Sequence, residues 1–172
     1  DGWFYFVNPG KMLVSKEQFV IGGDSRPRND IIMKLFRLLG ASERQGFGGP
    51  LIFKTAISND LRRPEIITNL ERTELKVWNI DLADSYPDLE DDEKTVFRYI
   101  VKHSSASSVN DIKKELSLSE YKVRKIIQSL ESKQRIQKIG NGPSTKYTII
   151  YEGIELLTQL QMAMDVIKKQ IM

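Results

Sequence analysis

The 172 residues carry 26 Lys and Arg against 23 Asp and Glu, a net charge of +3, with 40% hydrophobic residues, 28% charged residues and no cysteine. That composition describes a globular protein with one or two small cores and excludes disulfides and thiolate metal sites. No apolar run is long enough to cross a bilayer and no signal peptide is evident, so a cytoplasmic protein is expected.

Trp3 to Val7 reads as a short aromatic strand of alternating core and surface positions, ending in the turn Asn8-Pro9-Gly10. Met12 and Leu13 follow, then a loop through Gly22, Gly23, Asp24 and Ser25. Pro27 and Asn29-Asp30 introduce a helix with apolar positions Ile31, Ile32, Leu35, Phe36, Leu38 and Leu39, stopped by Gly40. Gly46-Phe-Gly-Gly-Pro50 precedes a second helix from Leu51 to about Asn59. The stretches 64–70 and 74–82 alternate apolar and polar residues and predict an antiparallel strand pair. The N-terminal part, 1–83, is therefore α+β. The Pro-containing acidic stretch Ser85 to Asp92 reads as a linker. The chain opens inside a strand-like run without a starting methionine, which suggests a piece of a longer protein.

Residues 84–151 have the order of a winged helix-turn-helix. Val96, Phe97, Ile100 and Val101 form one helical stripe, and Ser107 or Ser108 can cap a short helix faced by Val109, Ile112 and Leu116. Ser119 opens a third helix with a core side of Val123, Ile126, Ile127 and Leu130, and two alternating strands follow around Gly140-Asn141-Gly142. In such a fold the third helix enters the major groove of double-stranded DNA and the wing reaches the backbone. Helical spacing puts Tyr121, Lys125, Gln128 and Ser132 opposite the core face, flanked by Lys122, Arg124 and Ser129. Lys and Arg can neutralise phosphates, Gln128 can pair with an adenine edge and Arg124 with guanine. Lys138 and Lys146 flank the wing. From Ser105 to Tyr151 there are nine Lys or Arg against four Asp or Glu, so positive charge concentrates here. A solvated helix face or a protein-docking winged helix would carry the same residues. The sole histidine, His103, is expected to favour a helix C-terminus by charge or to cap a carbonyl.

A last helix spans 152–172, with Leu157, Leu160, Met164, Ile167 and Ile171 at heptad-like intervals. It either packs across its own winged helix or pairs with its copy in a homodimer.

Gly46, Gly48 and Gly49 alone fit either a helix connection or a phosphate-cradling loop, and no Lys-Ser/Thr of a P-loop follows them. Ser25, Arg26, Arg28 and Asn29 fit either a phosphate grip at a helix N-terminus or a cap with loop-covering arginines. Phe6-Val-Asn-Pro-Gly10, Ser25-Arg26 with Asn29, Leu38-Leu-Gly40 and Glu43-Arg44 with Gly46, Gly48 and Pro50 occur in one order. That series resembles the C-terminal part of bacterial RecG-like transcriptional regulators, Schlafen-AlbA-type proteins in which a divergent GHKL-like ATPase segment precedes a winged helix. The resemblance implies a truncated GHKL-like segment over 1–83. It places Asn8 and Gly10 near the first glycine box and Gly46, Gly48 and Gly49 near the second, where backbone amides can meet phosphate oxygens. An Asp-x-Gly-x-Gly box has no match here. No cofactor or hydrolysis is expected of this fragment, and ATP binding stays open for the full-length protein.

Overall fold

The computed structural model describes residues 2–41, 46–103, 106–151 and 153–171. The chain is mixed α+β, with seven α-helices and two small sheets among these residues. It divides into two compact units: Asp1–Asn59, Arg63–Asn79 and Glu152–Met172 form the first, Asp60–Arg62 and Ile80–Tyr151 the second.

The first unit holds a three-stranded antiparallel sheet in which β3 (Arg72–Trp78) lies between β1 (Trp3–Pro9) and β2 (Glu65–Thr68). The Asn69 side-chain oxygen accepts the backbone N–H groups of Glu71 and Arg72, an Asx turn that sets the β2–β3 hairpin. Trp3 stands opposite Trp78 and Tyr5 opposite Lys76, and the Lys76 ammonium sits 4.8 Å and 4.5 Å from the two tryptophan rings. The expected alternation of core and surface along β1 is not found: all seven residues of the strand are exposed.

Three further helices lie in the N-terminal stretch. α1 (Lys16–Ile21), read from sequence as loop, is closed by a capping box in which Ser15 accepts from the Gln18 N–H and Gln18 reaches back to Ser15. α2 (Asp30–Leu38) is capped by Asn29, whose side chain accepts from Ile31 and Ile32. Its apolar stripe stays open, with Ile31 79% and Leu38 86% exposed. α3 (Gly48–Ser58) begins three residues earlier than its apolar pattern indicates and has no side-chain cap. The last helix, α7 (Ile154–Ile171), packs against α1 and α3. Lys54 pairs with Asp165 at 2.6 Å, Arg63 with Glu155 at 2.6 Å, and Gln161 donates to the Ile21 carbonyl at 2.8 Å. Of the two expectations for this helix, packing across the winged-helix unit is corrected: Asp165, Glu155 and Gln161 find their partners in the first unit.

In the second unit α4 (Asp91–Lys102) opens on a capping box between Glu90 and Glu93. α5 (Val109–Leu116) opens on one between Ser108 and Asp111. Ser117, left-handed at φ 53°, turns the chain into α6 (Glu120–Ser132), whose N-cap Ser119 accepts from Lys122. β4 (Ile136–Ile139) and β5 (Lys146–Ile149) form the wing, with Ile136 opposite Ile149 and a short 3-10 turn at Gly142–Ser144. Gly140 and Gly142 both carry positive φ, which the tip of this hairpin requires. Ser107 adds a single bridge to Tyr147, through backbone bonds of 2.9 Å and 2.8 Å, that has no separate sequence pattern.

Val96, Phe97, Ile100, Ile112, Val123, Leu130 and Ile136 are almost fully buried, each contributing roughly 1.5–3 kcal/mol relative to exposure. Leu82, Ala83 and Leu89 belong to the same core, and Tyr86 meets Phe97 edge to face at 5.7 Å. The acidic stretch read as a linker is therefore packed structure, because two of its apolar residues reach the core. His103 acts as expected of a capping residue, its Nδ1 lying 2.7 Å from the Tyr99 carbonyl while the ring stacks on Tyr99.

Candidate nucleic-acid interface

The stripe Val123, Ile126, Ile127 and Leu130 anchors α6 to the core and orients its opposite face outward. On that face Tyr121 is 79% exposed, and Lys125 and Gln128 are exposed as well. The side chains of Lys125, Gln128 and Lys138 make no hydrogen bond or ion pair with any described residue. Two other candidates are already engaged in ion pairs. Lys122 pairs with Asp92 at 2.6 Å, and Arg124 pairs with Glu120 one turn earlier at 2.8 Å. The bond from Arg124 holds the Glu120 carboxyl below the usual carboxylate range. Both pairs are solvent-exposed and weak enough to exchange for a phosphate.

Ser129 differs from its neighbours. Its hydroxyl donates to Glu93 Oε1 at 2.5 Å, so the residue read as a flank of the DNA face instead ties α6 to α4. Glu93 is 7% exposed and also accepts from Lys133 Nζ at 2.6 Å and from the Glu90 N–H at 2.9 Å. Burial pushes its carboxyl up, but the bonds from Lys133, Ser129 and Glu90 outweigh burial and leave it below the usual range.

The two wing lysines separate. Lys138 stands opposite buried Tyr147, whereas Lys146 occupies the next position along β5 and points to the other side. Lys138 lines a cleft of about 450 Å³ with Arg124, Ser108, Asn110, Thr145 and Tyr147. Lys146 instead lowers the Asp111 carboxyl, after the larger effect of the Ser108 hydrogen bonds. Ser108, Asn110 and Thr145 were not expected at this site. The Ser108–Asp111 capping box marks a helix start in the sequence, but not the wing it faces.

The glycines assigned to nucleotide binding have mostly internal duties. A Cβ at Gly49 would lie 1.9 Å from the Phe19 carbonyl oxygen, so glycine lets α3 approach α1. Gly46, at φ +67°, would meet the Asp24 backbone oxygen at 2.5 Å. Gly10, at φ +76°, lies against Arg28, whose guanidinium donates to the Pro9 and Lys11 carbonyls. Arg26 pairs with Asp24 at 3.2 Å, Asn8 is exposed on β1, and Gly48 has open space around it. Glu43 and Arg44 lie outside the described residues.

Residues 4–77 match the family described as "Putative ATP-dependent DNA helicase recG C-terminal". The sequence has no match among curated proteins. A mutant of S. aureus MepR is 20% identical, covering 49% of this chain and 64% of its own, with a TM-score of 0.35. S. aureus MepR bound to ethidium bromide is 20% identical over 52% of this chain and 69% of its own, at 0.36. The DIP2311 protein from Corynebacterium diphtheriae is 12% identical over 86% of this chain and 44% of its own, at 0.41. The chain thus spans less than two thirds of the length of the first of these structures. At such scores the likeness carries no architectural weight, and the winged-helix-like description rests on this chain's own element order and pairing. No described helix is long and apolar enough to cross a membrane.

Proposed function

We propose that the chain is the DNA-binding part of a cytoplasmic, bacterial RecG-like transcriptional regulator that grips duplex DNA with a winged helix. α6 enters the major groove and the β4–β5 wing follows the backbone. One observation carries this reading: Lys125 and Gln128 stand uncommitted on the exposed face of α6, while Arg124 and Lys138 converge in the cleft beside it. Lysine and arginine supply sequence-independent affinity by neutralising phosphates, and Gln128 supplies a bidentate donor and acceptor for an adenine edge. The test is a fluorescence-anisotropy titration with random-sequence duplex pools at two salt concentrations, with sequencing of the bound fraction. Enrichment of one motif that survives the higher salt supports the regulator. Weak, salt-erased binding without enrichment rejects it in favour of a protein-docking winged helix.

A second reading is a nucleotide-responsive module with a GHKL-like segment over 1–83. It is favoured by the family match over residues 4–77 and by Gly48, which lies in open space in the uncapped first turn of α3. Titration of the full-length protein with ATP tests it, and absence of binding at millimolar nucleotide refutes it. The homodimer expected through α7 keeps Leu160, Met164 and Ile167 as an exposed stripe; a monomer in sedimentation at micromolar concentration removes it.

A further inference from the structure

The aliphatic stripe that holds α6 is directionless. Val123, Ile126, Ile127 and Leu130 gain by burial, a gain that scales with apolar area and has no directional component of its own. A rotation of about 20° would displace a side-chain tip about 6 Å from the axis by roughly 2 Å, more than a hydrogen bond to a base edge tolerates. Readout by Gln128 gains from a directional contact that adds to this packing and sets the rotation of the helix. Such a contact is present on the flank of α6, one turn apart: Ser129 and Lys133 both donate to the carboxylate of Glu93. That carboxylate is itself held in the first turn of α4 by the Glu90 N–H. Ser129 is next to Gln128 in sequence, so whatever orients one orients the other about 100° away.

We infer that Glu93 is a positioning residue for sequence readout: by accepting from Ser129 and Lys133 it fixes the rotation of α6, and with it the direction in which Gln128 meets the bases. This rests on the DNA-binding reading above. Glu93 touches no base; it acts through Ser129. The network governs discrimination between sequences, whereas Lys125 and Lys138 govern affinity for any duplex.

The experiment compares the wild-type chain with Ser129→Ala and Ser129→Thr, using the duplex motif selected by the wild type and a scrambled duplex of equal length. Ser129→Ala removes one donor and leaves Lys133 on the buried carboxylate, so the fold survives. In Ser129→Ala the ratio of the two dissociation constants should fall about tenfold, with binding to the scrambled duplex changed by less than about twofold. Ser129→Thr keeps the hydroxyl and should restore the ratio. A loss of stability alone would lower the active fraction equally for both duplexes and leave the ratio intact. Equal weakening on both duplexes, as expected of a hydroxyl that contacts phosphate, or an unchanged ratio, overturns the inference. If the wild type binds no duplex or selects no motif, the DNA-binding reading fails by itself. Residual dipolar couplings of the α4 and α6 amides then decide the positioning: an α6 that turns relative to α4 in Ser129→Ala upholds it, and an unchanged orientation overturns it.

Discussion

Replacing Lys125 with alanine removes an exposed cation without breaking any side-chain hydrogen bond or ion pair among the described residues. Each phosphate neutralised on duplex DNA contributes about 0.9 to the slope of log affinity against log salt. If Lys125 holds one phosphate, the variant's slope is shallower by about 0.9. The wild-type advantage then shrinks roughly 3.5-fold between 50 and 200 mM salt. Lys122 is expected to contribute less, because Asp92 lies 2.6 Å from its ammonium and already supplies a counter-charge. Combining Lys122→Ala with Lys125→Ala therefore flattens the slope by less than twice the effect of Lys125→Ala. Asp92→Asn, by releasing Lys122, should raise affinity on every sequence and steepen the slope. Anisotropy titrations of wild type and variants over a salt series measure all three. An unchanged slope in a folded Lys125→Ala/Lys122→Ala double variant would refute the placement of the interface on α6.

Gln128→Ala should relax preference at one or two base positions by about 1–3 kcal/mol; uniform weakening across sequences would reject base contact by this side chain. Glu93 gives the second unit a defined acid sensitivity. Its carboxyl, raised by burial but lowered further by Lys133, Ser129 and the Glu90 N–H, ionises below the usual range in the native state. The stabilisation is fully present above the ordinary glutamate value of the unfolded chain and is lost as pH falls through the lower native value. Melting temperatures taken from pH 6 to 2 should therefore fall more steeply for wild type than for Glu93→Gln, and parallel curves would refute this account. Gly49→Ala places a methyl against the Phe19 carbonyl oxygen. It should destabilise the first unit by about 1–3 kcal/mol, read by urea denaturation, and an unaltered midpoint would show that α3 can shift away freely.

Several elements were legible because their causes are local. Capping residues, helical stripes and a glycine-tipped hairpin each act within a few positions, so α2, α4, α5, α6 and the wing follow from short windows of sequence. Even α1 carried such a signal in Ser15 and Gln18, although its short apolar content concealed it. The outward face of α6 was also legible, since helical periodicity separates Val123 and Ile127 from Lys125 and Gln128. Tertiary structure decided what periodicity leaves undirected. Ser129 sits on the flank of α6, and only the arrival of Glu93 from 36 residues away commits its hydroxyl. Lys138 and Lys146 look equivalent along the hairpin, yet strand alternation and pairing to Tyr147 send them to different surroundings. Leu82, Ala83 and Leu89 join a core that their acidic neighbours mask. The stripe of α7 advertises an apolar partner without naming it, and ion pairs to Lys54 and Arg63 place it in the first unit. Sequence alone determined which segments form helices and hairpin and which face of α6 is wet. Three-dimensional packing determined which polar groups remain free to bind, because burial and directed hydrogen bonds depend on partners distant along the chain.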